Sequence, residues 1–248
     1  MRSFLAATVL FAVLAGAALA DVPFDRWAER EAIVPHGRVD GATGTCSIVY
    51  YNICSGWYWR YSPFRGDERI AGDHAGVVFD LPNDCAKEPG AECVHLGFWW
   101  YWRYTTPGWG YTLSYYLWPV DEDFCMVGEP IGSLLCQDPT ERWNHYPGLG
   151  TTNADMVAVI SVFDKGGLPH WCLDNNYRNS QAPIACDGWP GPLGVHSVYW
   201  GNYDTMYCPP YFFADPVGPI QFIMDATFSC EGTPIEPASW GTIKSLFR

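Results

Sequence analysis

Apolar and polar residues alternate with a period of two along most of this chain, and long runs with helical spacing are missing from its middle. The pattern predicts strands at 47–53, 57–61, 76–81, 94–104, 111–119, 131–136, 156–163, 169–173, 195–200 and 220–229. Between them stand turn clusters such as Pro82-Asn83-Asp84, Thr106-Pro107-Gly108, Lys165-Gly166-Gly167 and Pro190-Gly191-Pro192. About ten strands with short polar connections point to an all-β fold, a two-sheet antiparallel β-sandwich of jelly-roll type. Crossover helices are missing, so an α/β sheet is excluded. Short helices are expected only near the ends, at 25–33 and 239–247.

The N-terminus changes what counts as the folded protein. Met1-Arg2 supplies a positive start, 4–14 an apolar stretch and Ala18-Leu19-Ala20 a small-residue cleavage site, the three parts of a secretory signal. The stretch is too short for a comfortable membrane span. The expected organisation is a signal peptide at 1–20, an N-terminal segment at 21–45, a β-sandwich at 46–230, and a linker and C-terminal amphipathic tail at 231–248. Secretion, to the cell surface, the medium or the periplasm, also fits the ten cysteines. Each neighbouring pair brackets a turn-like segment, which favours Cys46–Cys54, Cys85–Cys93, Cys125–Cys136, Cys172–Cys186 and Cys208–Cys230 as local disulfides.

The formal net charge is −13, and −14 once Arg2 leaves with the signal. Nucleic acids and anionic membrane surfaces need a cationic face, so neither is an expected partner. Aromatic residues make up 17% of the chain, and one pentapeptide recurs: Trp57-Tyr58-Trp59-Arg60-Tyr61 returns as Trp100-Tyr101-Trp102-Arg103-Tyr104. The copies do not extend into a longer repeat. Rings beside Arg could form a face on which sugars stack, or could fill the core while Arg braces them. On 111–118 the odd positions suit a core, whereas Tyr116 and Trp118 share the other face with small polar groups. Were 94–104 to pair with this strand, Trp99, Tyr101, Arg103, Tyr116 and Trp118 would share one ligand-binding face. A second layer covering that face would bury the rings instead.

Catalytic candidates are scattered. Asp80, Asp121, Glu122, Asp123, Asp164, Asp174, Asp225 and six histidines are available, but no spacing singles out a pair. Asp225, opposite Phe222, Met224 and Phe228, reads as an exposed carboxylate. Serine-nucleophile, zinc, P-loop and dinucleotide signatures are missing. Asp121, Asp123 and Asp174 lie in loops rich in hard oxygen ligands and are weak calcium candidates; no other cofactor is expected.

The runs Gly-Val-Val-Phe-Asp, Gly-Tyr-Thr-Leu, Trp143-Asn144-His145 and Leu173-Asp174-Asn175-Asn176 give the chain a strand rhythm. In that rhythm it resembles uncharacterised bacterial secreted β-sandwich modules. The resemblance implies a fold and a location and assigns no functional residue. The basic, amphipathic end at 239–248 likewise resembles short C-terminal tags of some Gram-negative secreted proteins. The favoured function is a noncatalytic binding module for a glycan. The alternatives are a self-assembling surface or filament subunit that contacts other cell-surface proteins, and a secreted glycoside hydrolase.

Overall fold

The structure, a computed structural model, describes residues 25–30, 45–51, 57–62, 64–65, 68–69, 72–103, 113–164, 170–174, 196–215, 218–219 and 221–230. The segments expected to be a signal peptide, at 1–20, and a linker and C-terminal tail, at 231–248, lie outside these residues. In chain order the strands are β1 Asp25–Arg30, β2 Thr45–Val49, β3 Trp57–Ser62, the short β4 Phe64–Arg65 and β5 Glu68–Arg69, and β6 His74–Asp80. After helix α1 Leu81–Cys85 come β7 Cys93–Arg103, β8 Leu113–Pro119, β9 Gly132–Gln137, β10 Arg142–Thr152, β11 Met156–Phe163 and β12 His170–Asp174. The chain continues through β13 Ser197–Asn202, β14 Thr205–Phe212, the short β15 Ala214–Asp215 and β16 Gly218–Pro219, and β17 Met224–Cys230.

The expected all-β, two-sheet antiparallel sandwich is what forms. One sheet has seven strands, ordered β1-β3-β12-β7-β17-β2 with β10 added to the other edge of β7. The second has six, ordered β14-β13-β6-β11-β8-β9. Every pairing within the two is antiparallel. Alternation decides which side chains meet between the sheets. Phe98, Trp100 and Trp102 from β7 face Leu113, Tyr115 and Leu117 from β8, with Val157, Val159 and Phe163 from β11 and Phe228 from β17 in the same core.

Several elements differ from the sequence reading, among them helix α1, which forms in mid-chain where only a turn was expected, with Asp80 as its N-cap and Pro82 in its first turn. The segment at 25–33, expected to be helical, contributes β1, because its backbone pairs with β3 from Asp25↔Ser62 to Arg30↔Trp57. Pairing an otherwise open edge outweighs local propensity there. Besides the two-residue strands β4, β5, β15 and β16, two long strands were not expected, β10 and β14, and both carry proline: Pro147 in one, Pro209 and Pro210 in the other. Each sits at a sheet edge, where a missing N–H donor costs little. Pro147 and Gly150 also flank a register shift in β10.

The local disulfide scheme is overturned. The bonds are Cys46–Cys85, Cys93–Cys230 and Cys125–Cys208, with sequence separations of 39, 137 and 83. Cys46–Cys54, Cys85–Cys93, Cys125–Cys136 and Cys208–Cys230 are therefore excluded, and Cys186 lies outside the described residues. Folding, not loop length, selects the partners. Cys93 and Cys230 face each other in the β7–β17 register, Cys46–Cys85 joins β2 to the helix that follows β6, and Cys125–Cys208 ties the segment after β8 to β14. Cys136, on the edge strand β9, is exposed and forms no disulfide with a described residue.

Candidate functional site

The outward face of the seven-stranded sheet carries a cross-strand set of rings, and its geometry follows from β7. With Phe98, Trp100 and Trp102 turned inward, Gly97, Trp99, Tyr101 and Arg103 point out. Strand β10 brings Trp143 opposite Tyr101 and His145 opposite Trp99. The pairs touch as rings: Trp99 and His145 at 4.7 Å, Tyr101 and Trp143 edge-on at 5.3 Å. On the other side of β7, Asp225 of β17 lies opposite Trp99.

The repeated pentapeptide finds its explanation at the same place. Its two copies lie on β3 and β7, and both strands pair with β12, so that Trp171 meets Tyr61 on one side and Trp102 on the other. Equivalent tyrosines, Tyr58 and Tyr101, then meet at 6.2 Å. Both are buried, so Tyr101 is a floor under Trp143 and not itself an exposed contact. Arg103 Nε donates to the Tyr58 hydroxyl at 2.9 Å, and its Nη1 lies 3.5 Å from Glu141 Oε2. The arginine of the second copy thus braces the tyrosine of the first.

Asp225 departs from its expected exposure. It does point away from Met224 and Phe228, but on that outer face it is buried, 3.5 Å from the Tyr51 hydroxyl. Tyr51 packs in turn on Trp143. Trp99, Arg103, Trp143 and His145 are left as the surface groups, over a floor of Tyr58, Tyr101 and Ile223.

Tyr116 and Trp118 do not join them. Strand β8 pairs with β11 and β9, never with β7, so its outward residues lie on the opposite side of the sandwich. There Val78, Ala158, Ile160, Val162, Val198 and Trp200 form a second apolar cluster, against which Tyr116, Trp118, Phe124 and Met126 pack. The segment after β8 folds back as a hairpin closed by a Val120↔Met126 bridge. Trp200 donates its indole N–H to the Phe124 carbonyl at 2.7 Å, and Cys125–Cys208 locks the hairpin to β14. The indole N–H of Trp118 is buried without a partner.

The carboxylate candidates mostly serve the backbone. Asp80 caps α1 by accepting from the Asn83 amide at 3.1 Å. Asp121 Oδ1 accepts from the amides of Asp123 and Cys125, which commits it to the hairpin turn. Asp123 is exposed, and the side chain of Asp174 lies outside the described residues. No group of three or more His, Cys, Asp or Glu side chains that could hold a metal ion is found among the described residues. Buried polar chemistry concentrates instead at Tyr50, whose hydroxyl donates to Asp84 while its ring stacks 3.5 Å from His196. Burial raises both the Tyr50 hydroxyl and the Asp84 carboxyl above their ordinary values.

Sequence reasoning missed Trp143, His145 and Glu141 as members of the site. Trp143 and His145 alternate correctly for one face, but Pro147, Gly148 and Gly150 mask the strand that carries them.

No protein-family model matches the chain, and no curated protein matches its sequence. Two solved chains show a low-level structural similarity. One contains the cysteine protease and lectin-like domains of Cwp84, a surface-layer-associated protein of Clostridium difficile, at 10% identity and a TM-score of 0.46 over 76% of this chain and 36% of that one. The other is the clostridial cysteine protease Cwp84 after propeptide cleavage, at 10% identity and a TM-score of 0.44 over 75% and 40%. This chain therefore spans well under half the length of either, and similarity at that level carries no argument about function. No helix among the described residues is long and apolar enough to cross a membrane.

Proposed function

We propose that this protein is a secreted or surface-displayed, noncatalytic module that binds a glycan on the outward face of its seven-stranded sheet. One observation carries the reading: the cross-strand ladder of Trp99 with His145 and Tyr101 with Trp143, flanked by the Arg103–Glu141 pair. The C–H faces of a pyranose stack on an indole, while its hydroxyls need donors and acceptors at the rim. Here the half-exposed indoles supply the first, and His145, Arg103 and Glu141 the second. The disulfides suit an oxidising compartment.

A glycan array probed with the mature chain tests this directly. Saturable binding of at least one glycan, lowered about tenfold by Trp99→Ala or Trp143→Ala, is the expected result, since one aromatic contact contributes on the order of 1 kcal/mol. Unchanged binding in both variants would sink the proposal. The subunit reading keeps one observation of its own: Leu135, 55% exposed, stands beside exposed Cys136 on the edge strand β9. Size-exclusion chromatography with and without reductant separates the two readings.

A further inference from the structure

At the end of the seven-stranded sheet where β7 begins, the outward face changes character. Cys93 and His95 are buried, so Val94 and Leu96 between them point outward, where they are 39% and 44% exposed. The register of β7 with both neighbours slips at Leu96, between Thr227 and Phe228 of β17 and between Pro147 and Gly150 of β10, a bulge that re-aims the leucine. The groups beside this strip are short. Thr151 of β10 and Ser229 of β17 lie opposite Val94, and the next outward residue of β17, Thr227, has its hydroxyl 3.1 Å from that of Ser47 on β2. Val94 and Leu96 therefore stand on a shelf of hydroxyl groups, with exposed Glu92 at its rim.

The chain leaves the sheet at the same place. Cys230, the last residue of β17, lies opposite Cys93 and is disulfide-bonded to it, next to Val94. Residues 231–248 follow, outside the described residues, and their sequence complements the strip. The eight residues 231–238 span up to ~27 Å at full extension, several times the ~4.8 Å between neighbouring strands, so the segment behind them can reach Val94 and Leu96. With helical spacing, Trp240, Ile243, Leu246 and Phe247 fall within about one third of the circumference, and Lys244 and Arg248 line one flank.

We propose that the segment 239–248 docks on this strip, with its apolar side over Val94 and Leu96 and its basic flank toward Glu92. The size of the strip selects this occupant. A stable interface with a free partner covers about 800 Å² on each side, more than two part-exposed side chains offer. A segment on a short tether is instead held at an effective concentration on the order of millimolar, so a weak contact suffices. Charge points the same way, since Lys244 and Arg248 form a basic end on a chain of net charge −13. The inference does not rest on the glycan reading, because Val94 and Leu96 precede the ring ladder on β7 and take no part in it.

The test is limited trypsin digestion of the mature chain, with release of 245–248 followed by mass spectrometry. Isolated peptide 231–248 is the undocked reference, and each tail variant is compared with a peptide carrying the same substitution. Cleavage after Lys244 tracks the undocked population, so the chain should be cut at least about tenfold more slowly than the peptide. Leu96→Ser and Ile243→Ser should each remove most of that protection, because each deletes an apolar contact. Glu92→Gln should weaken it only about twofold, an effect lost in high salt. Leu135→Ser, on the exposed edge of the other sheet, should leave it unchanged. Methyl NMR gives a second readout that needs no substitution: the Val94 and Leu96 signals should shift when 239–248 is deleted and shift back when that peptide is added in excess. Cleavage as fast as in the peptide, full protection in Leu96→Ser, or methyl signals indifferent to the deletion overturns the docking. Protection that rises with protein concentration also overturns it, and assigns the strip to the tail of a second copy.

Discussion

The two outward faces of this sandwich begin from the same sequence pattern and end differently. Each is built on a strand that alternates core residues with large rings, β7 on one sheet and β8 on the other. On the six-stranded sheet a hairpin folds back over the rings, and a disulfide to β14 holds it there. On the seven-stranded sheet an extra edge strand, β10, adds rings beside the first set without covering them. What an aromatic residue packs against is therefore decided by what crosses above it, and alternation along a strand says only which face it shares.

The largest expected effect follows from opening the closed face. Replacing Cys125 and Cys208 together by serine removes a cross-link between residues 83 apart. The chain-entropy model puts that loss at about 4.5 kcal/mol, before any loss of packing over Trp200. A denaturant melt should show the destabilisation, and a hydrophobic dye should bind the variant more strongly at temperatures well below its midpoint. Equal stability of variant and parent would mean that the hairpin does not seal this face.

Acid should weaken the molecule from beneath the open face. His95 is buried under the bulged part of β7, where it accepts from the Leu149 amide, and burial holds its pKa down to about 4. The unfolded chain binds this proton near pH 6.5, whereas the folded chain does not until about pH 4. Over that window the unfolded state holds more protons, so stability falls as pH drops, by about 3 kcal/mol in total, and is fully present above it. His74 on the other sheet is also lowered by burial and adds to the slope with the same sign. A His95→Gln variant keeps an acceptor for Leu149 and should flatten the pH dependence of unfolding between 6.5 and 4. A slope unchanged by that substitution would assign the acid sensitivity elsewhere.

How much of this was legible in the sequence depends on whether the deciding contact is local. Strand β11 reads as an apolar run interrupted only by Ser161, Met156-Val157-Ala158-Val159-Ile160-Ser161-Val162-Phe163, and is buried on both sides as such a run should be. The inward set of β8, Leu113, Tyr115 and Leu117, likewise follows from alternation alone. Strand β10 was hidden because Pro147 and its glycines read as a loop, although an edge tolerates them. The disulfides were misread for a related reason. Neighbouring cysteines in sequence were brought to different strands, and only the register of β7 with β17 puts Cys93 beside Cys230. The single shared face of Trp99, Tyr101, Arg103, Tyr116 and Trp118 required β7 and β8 to pair, and adjacent strands of a sandwich often lie in opposite sheets, as these do.

A matched pair of tryptophan truncations sharpens the contrast. Trp118 packs into the second apolar cluster beneath the hairpin, so Trp118→Ala should cost about 2 kcal/mol, below the range for a fully buried tryptophan because it is only half-buried. It should leave glycan affinity on the other face unaltered. Trp143→Ala should do the reverse, losing most of the affinity for about 1 kcal/mol of stability. Both are read from one urea titration and one binding curve per variant. If Trp118→Ala removed glycan binding while the fold kept its stability, the assignment of open and closed faces would have to be exchanged.

The smallest effect is expected at the rim of the open face. Arg103 and Glu141 form an ion pair at 3.5 Å with side chains 23% and 42% exposed. Water and salt screen such a pair, so Glu141→Gln should change stability by about 0.5 kcal/mol or less, and by nothing measurable in high salt. The guanidinium does not depend on Glu141 for its position, because Nε remains on the Tyr58 hydroxyl. Glycan binding should accordingly stay within about twofold of the parent, since no ring and no donor of the arginine is lost. Arg103→Lys is the informative partner: a lysine cannot hold Tyr58 and reach the rim through one planar group, so it should loosen both. A salt-insensitive loss of a kilocalorie or more in Glu141→Gln would instead show that the pair is shielded from water, and the face above β7 and β10 would then be closed like its counterpart.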